Sequence, residues 1–126
     1  MDDAKTHYLA GLKHFGANRH EDSIAEYRKA LELKPDWAEL YNAIATAESK
    51  LGRLDDAVAT INKAIEINPN DAFFLTSLSI FLQRQGKIPE AEAAAAKARM
   101  ISWKEELKKN PNAPPPGPAG SMNVVQ

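Results

Sequence analysis

Ser23-Ile-Ala-Glu-Tyr-Arg-Lys-Ala-Leu-Glu-Leu-Lys-Pro35 and Ala57-Val-Ala-Thr-Ile-Asn-Lys-Ala-Ile-Glu-Ile-Asn-Pro69 align without a gap, which sets Pro35 and Pro69 34 residues apart. A helix-turn-helix unit of that length cannot bury its own apolar face and has to stack on copies of itself. The period therefore predicts an all-α solenoid before any single residue is interpreted.

Carried forward, the register reaches Ala91-Glu-Ala-Ala-Ala-Ala-Lys-Ala-Arg-Met-Ile101, and carried backward it sets Gly11 over Ala45 and Ser79. Three units follow, at about 4–37, 38–71 and 72–105. Each has a small residue in its first helix (Gly11, Ala45, Ser79) and two in its second (Ser23 and Ala30, Ala57 and Ala64, Ala91 and Ala98), where paired helices cross closely. Between those two lies a filler: Tyr27, Ile61 or Ala95. Period, small slots and helix-ending Pro together resemble the tetratricopeptide repeat. The sequence departs from that pattern at His7, where a large aromatic is usual, at Ala95, which replaces the bulky filler, and at Trp103, which stands where a third Pro is expected.

Punctuation predicts six helices. First helices should end near Asn18, Gly52 and Gly86, residue types that tolerate left-handed geometry, and second helices begin with Glu21-Asp22, Asp55-Asp56 and Pro89-Glu90. Those recurring carboxylates read as helix capping rather than acid-base chemistry. On the second helices the face meeting the next unit carries Ile24 and Leu31, then Val58 and Ile65, but Glu92 and Arg99 in the third. A polar outer face is what a terminal repeat needs, so no fourth unit is expected. Lacking a Pro, the last helix should run on through Trp103-Lys-Glu-Glu-Leu-Lys-Lys109, giving a repeat domain over 1–109 and a Pro/Gly-rich flexible tail over 110–126 that holds five of the eight prolines.

Composition describes one soluble domain: 126 residues, 44% hydrophobic and 26% charged, with a formal net charge of −1. No apolar run is long enough to cross a membrane, and Met1-Asp-Asp-Ala-Lys does not read as a secretion signal, so a cytoplasmic protein is expected. Near-neutral charge gives no general attraction to nucleic acid or anionic lipid, and Lys104, Lys108 and Lys109 are interleaved with Glu105 and Glu106. The chain has no Cys, phosphate loop or metal signature. His7 and His14 lie two helical turns apart, about 10 Å along the axis, too far to share a metal, and read as structural histidines facing the paired helix. No catalysis and no cofactor are expected.

The resemblance implies a concave wall lined by first helices. Residues falling on it are Lys5, Tyr8, Leu12 and Phe15 in the first unit, Glu39, Asn42, Thr46 and Ser49 in the second, and Phe73, Thr76, Ile80 and Gln83 in the third. Such a groove is apolar at its ends and polar in the middle, which suits an extended, largely apolar peptide. Lys50 and Arg84, at equivalent positions on its edge, and Lys5 near the entry offer charge to a carboxylate. Relatives that grip the acidic tails of heat-shock chaperones carry a Lys/Asn/Arg clamp, but the corresponding slots here hold Tyr8, Leu12, Ala43, Phe73 and Ser77. Chaperone-tail binding is therefore not expected. The alternative is a self-assembling scaffold. Met100, Trp103 and Leu107 form an apolar stripe on the last helix, and Met122, Val124 and Val125 end the tail, so a homo-oligomer or a self-ligand is the second reading.

Overall fold

A computed structural model describes residues 3–117, and among them it contains six α-helices and no strand: α1 (Asp3–Gly16), α2 (His20–Leu33), α3 (Ala38–Lys50), α4 (Leu54–Ile67), α5 (Ala72–Arg84) and α6 (Ile88–Lys109). Each first helix ends through the same device. Asn18, Gly52 and Gly86 take φ of 63°, 82° and 83°, and the next amide returns to a carbonyl five residues back, Arg19 to His14, Arg53 to Glu48 and Lys87 to Leu82, each at 2.9 Å. With the accompanying bonds from Asn18, Gly52 and Gly86 to Phe15, Ser49 and Gln83 this is a Schellman motif repeated three times. Asn serves at the first site because its short polar side chain tolerates the left-handed region better than most.

Second helices stop where proline follows. The last cap bonds run from Lys34 to Ala30 and from Asn68 to Ala64, after which Pro35 and Pro69 bar continuation. With Trp103 in place of a third Pro, α6 extends to 22 residues against 14 for α2 and α4.

The chain forms two compact units, one holding α1 to α4 and ending at Pro69, the other starting at Asn70 with α5 and α6. In the first unit α2 packs on both α1 and α3, and α3 packs on α4. Its core gathers Ala4, Ile24, Tyr27, Ala30, Leu40, Ile44 and Ala47. In the second unit α5 buries Phe74, Leu75, Phe81 and Leu82, and α6, packed against it, buries Ala91, Ala94 and Ala98.

Small residues where helices cross have specific reasons. A Cβ on Gly11 would overlap the Tyr27 ring, so that ring dictates glycine. Ser23 Oγ, fully buried, donates to the Gly11 carbonyl at 2.9 Å. In the third repeat the hydroxyl changes sides: Ser79, at the position of Gly11, donates to the carbonyl of Ala91, at the position of Ser23, at 2.7 Å. The middle repeat has Ala45 and Ala57 there and no hydroxyl.

The repeat register predicts a buried stripe of Tyr41, Ile44, Leu75, Leu78 and Leu82, but Tyr41 and Leu78 are only half-buried, while Leu40, Phe74 and Phe81 are buried almost completely. Helix α3 also buries Glu48 and Ser49. A helix held between two others hides most of its circumference, so its buried arc is wider than the single stripe that periodicity marks.

Candidate functional site

The first-helix face of the first unit is built on an aromatic layer. Tyr8 from α1 lies 6.1 Å from Tyr27 and 5.1 Å from Trp37, ring centre to ring centre, and Lys34 Nζ sits 5.0 Å over the Trp37 ring. Tyr8 and Phe15 are thus half-buried against the core rather than fully presented, with Phe15 edge-on to His20 at 4.9 Å. Leu12, between them in sequence, is 42% exposed. On α3, Asn42 and Thr46 are half-buried and Thr46 spends its hydroxyl on the Asn42 carbonyl at 2.9 Å. The Asn42 side-chain oxygen is buried and has no hydrogen-bond partner among the described residues. Ser49, assigned to this wall, is buried instead, and Lys5 and Lys50 are exposed.

On α5 of the second unit the corresponding side chains stand well out. Phe73 is 68% and Ile80 49% exposed. Thr76, also exposed, bonds back to the Ala72 carbonyl, and Arg84 is exposed at the helix end. Phe73 is positioned by the cap of its helix, since Asp71 Oδ1 accepts from the Phe73 amide at 2.9 Å.

Trp37 was not among the residues the sequence assigned to this face. At its repeat position the sequence has Asp71, so periodicity gave no signal; the tryptophan itself, one residue before a first helix, was the only clue. Glu48 was missed too. Only 5% exposed, it pairs with Arg28 at 3.7 Å, and burial pushes its carboxyl above the ordinary range despite the Thr60 hydroxyl and the Arg28 and Arg53 charges, which oppose the shift. Its repeat equivalents, His14 and Leu82, face the paired helix, and that register is what could have revealed it.

The histidines serve structure. His7 Nδ1 lies 2.7 Å from Glu26 Oε1 on α2, and this hydrogen bond, with help from Lys29, holds the Glu26 carboxyl below the usual range. Arg19 Nε donates to His14 Nδ1 at 3.1 Å. Among the described residues no group of three His, Asp or Glu is placed to hold a metal ion, and no helix is long and apolar enough to cross a membrane.

Of the second-reading residues, Met100 is 40% exposed, while Trp103 and Leu107 are half-buried. The cover comes from the chain itself: Trp103 Nε1 donates to the Ala113 carbonyl at 3.1 Å, and Ala113 is buried. Met122, Val124 and Val125 lie outside the described residues.

Tetratricopeptide repeat profiles match residues 8–72 and 60–93, and the chain belongs to the tetratricopeptide repeat family. No curated protein matches the sequence. Among solved structures, a crystal structure of MamA superposes with a TM-score of 0.79 at 22% identity, covering 83% of this chain and 61% of MamA. The TPR2B domain of yeast Sti1, in complex with pHsp70, gives 0.78 at 23% identity over 82% of this chain and 83% of that one. The first TPR of Spaghetti (RPAP3), bound to an HSP90 peptide, gives 0.73 at 20% identity over 87% and 81%. The chain spans less than two thirds of the MamA length it matches.

Proposed function

We propose that this protein is a non-catalytic interaction module whose first-helix faces bind an extended, largely apolar peptide. The supporting observation is the exposure of Leu12, Phe73 and Ile80 on α1 and α5, where large apolar side chains stay in water. Asn42 adds a half-buried side-chain amide on α3, a group able to bond the backbone of an extended ligand. Lys50 at the end of α3 is an exposed cation able to meet a carboxylate on the ligand, and Lys5 on α1 and Arg84 at the end of α5 are exposed as well. One structural neighbour is bound to an HSP90 peptide and another is in complex with pHsp70, which supports peptide binding as the use of the fold. The ligand class differs here, because Tyr8, Leu12 and Phe73 occupy slots where charged or amide residues grip acidic tails.

Peptide-array binding with purified protein tests this reading. Apolar extended sequences should be retained and acidic chaperone-tail sequences should not. Leu12→Glu and Phe73→Glu should each abolish retention while the circular dichroism spectrum stays helical. Retention of acidic tails, unaffected by either change, contradicts the proposal.

A self-assembling scaffold is the second reading, favoured by the exposure of Met100 on α6. Light scattering on the wild type and on Met100→Glu decides it, since monomers at every concentration leave it without support.

A further inference from the structure

The third repeat replaces a buried filler with Ala95, and two clefts meet at that residue. The larger, about 440 Å³, runs between α5 and α6 past Thr76, Ile80, Ala98 and Ser102, and its far rim is Pro116. The smaller, about 180 Å³, continues along the same seam past Gln83, Ile88 and Ala91. Both share Ser79 and Ala95. In the first repeat the equivalent residue is Tyr27, 1% exposed, and in the second Ile61, fully buried.

How the chain leaves α6 supplies the occupant. After Lys109 it reverses in a tight turn: the Asn112 amide donates to Asn110 Oδ1 at 3.1 Å and the Ala113 amide to the Asn110 carbonyl at 3.0 Å. Trp103 then fastens Ala113, and by Pro116 the chain has returned to the level of Ala98 to Ser102. The segment therefore travels back along α6. An extended proline-rich strand advances about 3.1 Å per residue against 1.5 Å for the helix beneath it, so each tail residue passes roughly two helix residues. At that rate about six residues beyond Pro116 are enough to span the seam past Ala95 to Ile88, whose side chain is 45% exposed.

From this geometry we infer that residues 118–122 dock along the α5/α6 seam of their own molecule, Pro118 above the Ala95 floor and Met122 against Ile88. The occupant is the same chain rather than a second copy, because the Trp103 and Ala113 hook already delivers the strand to the cleft and linkage keeps it there at high local concentration. This docking does not depend on the peptide-binding reading, although three wall residues of α5, Thr76, Ile80 and Gln83, also line the clefts.

Because the protein has no Cys, disulfide trapping is clean. The full chain carrying Ile88→Cys and Met122→Cys should cross-link as a monomer, at least about tenfold faster than one carrying Leu12→Cys and Met122→Cys. Adding Ala95→Tyr, the residue the first repeat carries there, should fill the cleft and remove that advantage while leaving the helical spectrum intact. Three results overturn the inference: equal rates for the two pairs, cross-linked dimers in place of monomers, or trapping indifferent to Ala95→Tyr. Preferential trapping with Leu12 would move the tail to the first unit and equally defeat it.

Discussion

Tyr27 in the first unit and Ala95 in the second occupy one repeat position and meet opposite fates. The tyrosine ring is sealed beneath Tyr8, lies over Gly11 and excludes water; the alanine floors an open cleft rimmed by the returning tail. A repeat frame thus fixes where a filler goes and leaves its size free, and one repeat can turn its packing position into a surface. The same contrast holds for charge: the first unit buries Glu48 where the second places Leu82.

Breaking the filled site gives the largest expected effect. Tyr27→Ala should cost about 3–5 kcal/mol in urea denaturation, as for other large aromatics removed from a core, whereas Ala95→Tyr should change stability by less than about 1.5 kcal/mol because the cleft accepts the ring. Equal losses at the two positions would show that both are core.

Gly11→Ala sharpens the point. The new Cβ collides with Tyr27, at a cost of about 1–3 kcal/mol. The middle repeat solves the same problem with Ala45 and Ile61. Gly11→Ala combined with Tyr27→Ile should therefore lose less than the sum of its single changes, by about 0.5–3 kcal/mol of coupling. Strict additivity argues that Gly11 is there for another reason.

Glu48 is next. Its folded carboxyl sits above the unfolded value, so ionised Glu48 destabilises the fold at neutral pH and that cost is relieved as pH falls through the folded value. Glu48→Gln should be neutral to about 1 kcal/mol stabilising at pH 7, with its advantage shrinking in acid. A variant that loses stability at pH 7 would show the Arg28 pair outweighing burial.

Glu26 runs the other way and should be smallest. Held below its unfolded value by His7, it contributes stability above about pH 4.5 that is lost as pH falls through the folded value. His7→Ala should remove about 0.5–1 kcal/mol near neutrality and less in strong acid, read from thermal melts at several pH values.

Helix boundaries were legible because Asn18, Gly52, Gly86, Pro35 and Pro69 act locally, through backbone geometry that a residue type either permits or forbids. The long α6 was legible for the same reason. Leu40 and Glu48 were not, since both lie on α3, which α2 and α4 hold from two sides, and periodicity along one helix does not record how many neighbours it has. Candidate wall residues were located by register, but register said nothing of degree: Tyr8 and Phe15 turned half inward onto Tyr27, Trp37 and His20, while Leu12, Phe73 and Ile80 stayed out. The tail's composition forbade helix, yet its return along α6 required a particular pairing of the Trp103 indole with the Ala113 carbonyl.

The central claim, that first helices carry the ligand, is tested most directly by hydrogen exchange with and without an apolar peptide selected on the array. The account predicts added protection in α1, α3 and α5, strongest around Leu12, Asn42 and Phe73, with α2 and α4 unchanged. Protection confined to α2, α4 or the exposed end of α6 would contradict it.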